Sequence, residues 1–253
     1  EATIKRLGHL SSAEFESVVE GRFVAFHGTV LNVDEDKHVI DPPSPQTIQK
    51  MSVLEAIDPG VAQAAVTWSA FDDQNRMITF AELYPKDATV ESIARDIFKI
   101  RKAWGIEPDY SIIDPSARNR VLTNAQNVEA EFTKYGIYTS PRQNDRMAGV
   151  LQMRGRLENG GWVISRDCQN LLMEFRRWVV AEDSENGKGV KFKTRGPDHA
   201  ADTTRYTCME RLWHGATEAK RDKGPAVWQP GDSLAKLDWS ANRPSGPPLG
   251  SMM

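Results

Sequence analysis

Val53-Leu-Glu-Ala-Ile-Asp58-Pro-Gly, with Ala64-Ala-Val-Thr-Trp-Ser-Ala-Phe71 and Met77-Ile-Thr-Phe-Ala-Glu-Leu-Tyr84 behind it, is the stretch that decides the fold. Each run is short and rich in β-branched and aromatic residues, and each is bounded by turn formers. Pro59-Gly60 follows the first, and Asp72-Asp-Gln-Asn-Arg76 separates the second from the third. Together they predict a meander of three antiparallel strands.

Beyond Tyr84 the period changes. Val90, Ile93, Ile97, Ile100 and Trp104 recur three or four residues apart, which is one face of an amphipathic helix. Thr89 suits its start and Gly105 its end. The pattern then alternates, with strands at 110–114, 137–140 and 162–165 and a weak one at 190–193. Helices fall at 127–135, around Met147, Val150, Leu151 and Leu157, through Leu171, Leu172, Phe175 and Trp178, and over 198–213. A meander followed by alternating helix and strand makes an α/β domain with a mixed sheet flanked by helices. That order is typical of the ribonuclease H-like architecture, whose central first strand carries a leading aspartate.

Outside this domain, expected at 51–215, residues 1–50 read as a lead-in. One or two short strands fall in 18–33, and Asp41-Pro-Pro-Ser-Pro then breaks the pattern. From 216 onward the chain reads as a tail rich in Pro, Gly and charge. The composition is that of a globular protein, 40% hydrophobic and 26% charged in 253 residues. No apolar run approaches the roughly 18 residues of a membrane span. Cys168 and Cys208 are too few for a disulfide framework or a zinc site. A net charge of −3 leaves the question of a nucleic-acid partner to the local distribution of charge.

Three aspartates stand where the predicted structure changes type. Asp58 and Asp114, in Ser111-Ile-Ile-Asp-Pro-Ser, end strands, and Asp202, in Asp198-His-Ala-Ala-Asp-Thr-Thr-Arg-Tyr206, lies near a helix start. Strand ends and helix starts gather at one rim of an α/β sheet, so these carboxylates converge there. Clustered carboxylates repel unless a cation sits among them, and hard divalent metals prefer oxygen ligands. Asp58 and Asp114 also have an ordinary reading, since Asp before Pro is a common turn former. Asp198, after Gly-Pro, is well placed as the cap of the last helix, which leaves Asp202, one turn on, as the better ligand. Glu82 reads as an edge-strand charge.

These motifs resemble the C-terminal nuclease domain of the large terminase subunit, the DNA-packaging motor of tailed phages and herpesviruses. The likeness runs from about Glu14 to Trp213. It takes in Val19-Glu-Gly-Arg-Phe, Gly28-Thr-Val, Ile57-Asp-Pro-Gly, Ile113-Asp-Pro-Ser, Gly136-Ile, Arg142-Gln-Asn-Asp-Arg, Leu172-Met-Glu-Phe and the Asp198–Tyr206 motif. The resemblance implies cleavage of concatemeric double-stranded viral DNA, dependent on two Mg²⁺ or Mn²⁺ ions, in the cytoplasm of an infected host cell. It implies the triad Asp58, Asp114 and Asp202, with Asp198 as an alternative metal ligand. It also implies portal protein and small terminase subunit as partners in the full motor.

His199 shares the helical face of Asp202 and is a candidate for orienting the attacking water, and a structural histidine is the alternative. Arg205 either braces an acidic ligand or lies along the helix. Arg142, Arg146, Arg154 and Arg156 form a local basic cluster, and Arg118 and Arg120 follow Asp114. Such cations would hold phosphates without reading sequence, the alternative for some being a solvated helix face. Trp104, Trp178 and Trp213 fit core packing. No Gly-x-x-x-x-Gly-Lys-[Ser/Thr] loop occurs, so the ATPase domain that precedes this nuclease in the family is expected to lie outside the sequence. Two rival readings are another ribonuclease H-like phosphoryl-transfer enzyme, such as a resolvase or transposase core, and a non-catalytic portal or capsid docking module.

Overall fold

The Val53–Asp58 run becomes the middle of a sheet because Val53 and Ile57 put apolar side chains on one face and Leu54 and Ala56 on the other. The computed structural model of the protein describes residues 29–60, 62–118, 127–141, 145–180, 192–194 and 196–211. Among these, the strands are β1 (Val39–Ile40), β2 (Ser52–Asp58), β3 (Ala65–Phe71), β4 (Met77–Leu83), β5 (Tyr110–Ile113), β6 (Thr139–Pro141), β7 (Trp162–Ser165), β8 (Trp178–Val180) and β9 (Phe192–Thr194). The helices are α1 (Glu35–His38), α2 (Pro45–Ile48), α3 (Val90–Trp104), α4 (Val128–Lys134), α5 (Arg146–Glu158), α6 (Gln169–Arg177) and α7 (His199–Glu210), with a 3₁₀ turn at Pro115–Arg118.

The order β1-β7-β4-β3-β2-β5-β6 makes one mixed sheet, and β8 pairs with β9 apart from it. The meander forms as predicted, with β2–β3 and β3–β4 antiparallel, while β5 joins β2 in parallel. Residues 53–57 of β2 are all buried, as expected of a strand covered on both sides. Alternation sends Leu54, Ala56 and Ile112 toward a core shared with Val150, Met153, Leu171, Phe175 and Tyr206 of α5, α6 and α7. Val53, Ile57 and Ile113 face the opposite core, with Ile93 and Ile97 of α3 and Phe132 of α4. α3 begins as expected, with Thr89 Oγ1 accepting from Ser92 N at 3.2 Å, and ends at Gly105.

Several expectations need correction. The lead-in does not stop short of the sheet, because Val39 and Ile40 add β1 alongside β7. Two residues are too few to carry a periodic signal. β4 lies between β3 and β7, so Glu82 is not an edge charge. Trp178 is buried as expected, but it opens β8 instead of closing a helix. Most of the strands expected in 18–33, the tail, Trp213, Arg120 and Arg142 lie outside the described residues.

Candidate active site

Parallel pairing sets the first two carboxylates side by side. Ile57 registers with Ile113, so Asp58 and Asp114 stand at the adjacent C-terminal ends of β2 and β5, and Asp114 N donates to Ile57 O at 3.1 Å. By the two-residue period Asp58 follows Leu54 and Ala56, and Asp114 follows Ile112, onto the face that α7 covers. α7 is seated on the sheet through Thr67 Oγ1, which donates to Thr203 Oγ1 at 2.9 Å.

His199, Asp202 and Tyr206 are spaced to share one face of α7. The outer two meet the strand carboxylates. His199 Nδ1 lies 3.0 Å from Asp58 Oδ2, and the Tyr206 hydroxyl donates to Asp114 Oδ2. Asp202 sits between them along the helix, and its Oδ1 accepts from Arg205 Nε at 3.0 Å. Arg205 is buried against α5 at Gly149, where an added Cβ would overlap the Arg205 Cγ. The turn after Asp58 is equally tight, since a Cβ on Gly60 would overlap Gln63 O and approach His199 Cε1 to 3.0 Å.

The environment shifts several protons. The hydrogen bond to the Asp58 carboxylate holds the His199 imidazole above its ordinary pKa, against some desolvation. Burial raises the Asp202 carboxyl, with Arg205 pulling the other way. Burial also raises the Tyr206 hydroxyl, helped by the nearby Asp202 and Asp114 charges, so it stays a donor.

Asp58 and Asp114 thus end adjacent strands and Asp202 lies on the helix that crosses them, each engaged by a different partner. Among the described residues no three His, Cys, Asp or Glu side chains are grouped closely enough to hold a metal ion. The donor chemistry, hard carboxylate oxygens on neighbouring strand ends and on the facing helix, still suits a divalent cation. The fit is one of donor type and not of a closed cage.

Asp198 does not cap α7 with its side chain. It makes no such bond, and its Oδ2 instead accepts from Arg146 Nη2 at 2.6 Å. The basic cluster also divides. Arg146 is 44% exposed, and Arg154, paired with Glu158 at 3.5 Å, is a quarter exposed. Arg156 is wholly buried, donating to the Asn75 carbonyl at 2.8 Å and to that of Arg211. Residues two apart on a helix point to different sides, so Arg154 and Arg156 cannot share a phosphate track. Arg156 is a structural residue. Arg118 ends the 3₁₀ turn after Asp114.

Sequence reasoning missed Glu174. It is buried, it accepts from Ala201 N at 2.7 Å, and it accepts from the Tyr84 hydroxyl. A carboxylate at helical spacing among Leu171, Leu172 and Phe175 was the available signal. Burial pushes its pKa up to about 7, opposed by Tyr84, Ala201 and His199. An unfolded Glu titrates at about 4.3, so between there and pH 7 the folded state holds the extra proton. Stability from this group is full below the unfolded value and is lost as pH rises through 7. Glu174→Gln is expected to flatten the fall in urea-derived stability between about pH 5 and 8, leaving what His199, Asp202 and Glu82, also raised, contribute with the same sign. An unchanged slope would assign the titration elsewhere.

Solved structures with the same fold include several phage large terminases and their nuclease domains. The large terminase of one thermophilic bacteriophage superposes with a TM-score of 0.67 at 18% identity, covering 84% of this chain and 53% of that one. The P22 large terminase nuclease domain gives 0.57 at 16% identity, covering 72% of this chain and 92% of that domain. The large terminase nuclease from the thermophilic phage G20c gives 0.50 at 12% identity, covering 74% and 94%. The chain thus has the ribonuclease H-like fold of large terminase nuclease domains, and it spans about half the length of the first of these proteins. No family model matches the sequence, and no curated protein matches it.

Proposed function

We propose, from this shared fold and from the two carboxylates that end adjacent strands beneath α7, that the chain is a divalent-metal-dependent endonuclease that cuts concatemeric double-stranded DNA during viral genome packaging. One observation carries the reading: Asp58 and Asp114 end adjacent parallel strands, and α7 lies across them with His199 against one and Tyr206 against the other. A bland turn role would explain either aspartate alone. It would not explain why one helix brings a titratable group to each.

Mg²⁺ or Mn²⁺ would be held by Asp58 and Asp114, with Asp202 as the third ligand once it turns from Arg205. Bound there, a pair of ions would stabilise the attacking and leaving oxygens of an in-line displacement at phosphorus. The protein's own groups do the rest. Tyr206 fixes the Asp114 carboxylate, and Arg205 holds Asp202 until a stronger cation competes for it. His199, oriented through Nδ1, has Nε2 as the atom to hold or pass a proton at the attacking water. Arg146, and with it Arg118, Arg120, Arg142 and Arg154, would grip phosphates in a salt-sensitive, sequence-independent way. In a complete motor the portal protein and the small terminase subunit would be the partners.

The test is supercoiled plasmid incubated with millimolar Mn²⁺ or Mg²⁺, with and without EDTA. Linear and nicked products that vanish with chelator are expected. No cutting with any divalent ion, joined to no metal binding by calorimetry, would leave the docking-module reading standing. Cleavage confined to branched DNA would favour a resolvase.

A further inference from the structure

We propose that Glu174 is a positioning residue for the hydrolysis proposed above, on which this inference rests, acting by fixing the first turn of α7 and so the placement of His199 and Asp202. The first turn of a helix leaves backbone N–H groups without internal partners, and an oxygen just outside it ordinarily accepts from one. Asp198 occupies that place in α7 but leaves the cap unmade, its carboxylate committed to Arg146. Glu174 Oε2, from α6, takes the Ala201 N–H instead at 2.7 Å. Its other oxygen accepts from the Tyr84 hydroxyl, next to the end of β4, so the carboxylate is held at both ends.

The same device occurs one step earlier. Cys168 makes no side-chain cap for α6, and Glu82 of β4 accepts from Asn170 N at 2.8 Å, Leu171 N at 2.9 Å and Asn170 Nδ2 at 2.8 Å. The two carboxylates link β4 to α6 and α6 to α7, and His199 closes the series on Asp58 of β2. A negative charge at a helix N-terminus is favourable, but a local cap by Asp198 would need no buried carboxylate. Capping from a distance does what a local cap cannot. It leaves Asp198 at the surface with Arg146, and it ties the site-bearing turn to a rigid strand.

Hydrogen exchange and plasmid cleavage on the whole chain test this. Glu174→Ala is expected to speed amide exchange at residues 201–203 by about tenfold, with β2–β5 protection unchanged. In the same variant kcat should fall about tenfold or more while KM stays within about twofold, because the site is misplaced and DNA contacts are not. Glu174→Gln, whose amide oxygen still accepts from Ala201, should recover both to within about threefold of wild type. If Glu174→Ala does not fold, Tyr84→Phe loosens only the far end of the carboxylate and should speed the same amides by about threefold. Unchanged exchange at 201–203, a Gln variant as impaired as Ala, or a rise in KM alone would overturn the proposal. A wild-type protein that cuts nothing would sink the nuclease reading, and the exchange measurements would still decide whether Glu174 sets the helix.

Discussion

Asp114→Asn is expected to lower plasmid cleavage by about a thousandfold or more while the protein stays folded. Asp114 is the most buried of the three acids, and its Oδ2 receives the Tyr206 hydroxyl. Asparagine keeps the shape and keeps an oxygen that can accept from Tyr206, so the packing of α7 should survive. The lost charge is what a divalent ion needs, because carboxylate affinity for a hard cation is largely electrostatic. Asp58→Asn should fall by a similar factor, with the added effect that His199 loses its anionic partner.

Asp202→Asn and Asp198→Asn then divide the last acid pair. Asp202 lies between the two contacts α7 makes with the strand ends, while Asp198 points to the exposed Arg146. Loss of cutting is therefore expected from the first substitution and a modest change from the second. Full activity in Asp114→Asn, with calorimetry showing unaltered metal binding, would remove the chemistry argued here. An active Asp202→Asn beside an inactive Asp198→Asn would exchange the roles of those two.

Much of the fold is visible in local pattern. β2 to β4 show as dense β-formers cut by Pro-Gly and Asp-rich turns, and α3 shows its apolar face, its Thr89 cap and its Gly105 stop. The aspartates were visible because strand ends are marked by turn residues. What stayed hidden is tertiary. Nothing local shows that two residues at 39–40 complete a sheet edge, or that Arg156 turns inward to the Asn75 carbonyl. The Asp198 side chain looked like a cap because its sequence neighbours suit one. A cap supplied by Glu174 from another helix cannot be read from that stretch. The partner each acid takes, His199, Tyr206 or Arg205, is likewise a product of how α7 crosses the sheet.

Arg101→Met is expected to cost about 3–5 kcal/mol of folding stability, the usual penalty for leaving a buried charge without its partner. Glu55 is fully buried at the centre of β2, where Arg101 reaches it from α3 with Nε at 3.0 Å and Nη2 at 2.8 Å. Trp68 Nε1 and Ser111 Oγ complete the carboxylate, each at 2.8 Å. These bonds join α3, β2, β3 and β5, so no neighbour can turn away to solvate Glu55 when Arg101 is removed. Against a typical total of about 5–15 kcal/mol, the urea midpoint should drop severely. Glu55→Gln combined with Arg101→Met should be less damaging than Arg101→Met alone, because the charge is gone. A single-variant cost below about 1 kcal/mol would show that water or a proton satisfies Glu55 instead. Asp58 lies three residues further along the same strand, outside this network. If the proposed reading holds, Arg101→Met protein that remains folded in the cold should therefore still cut DNA, which separates the lock that holds the sheet from the rim proposed to do the chemistry.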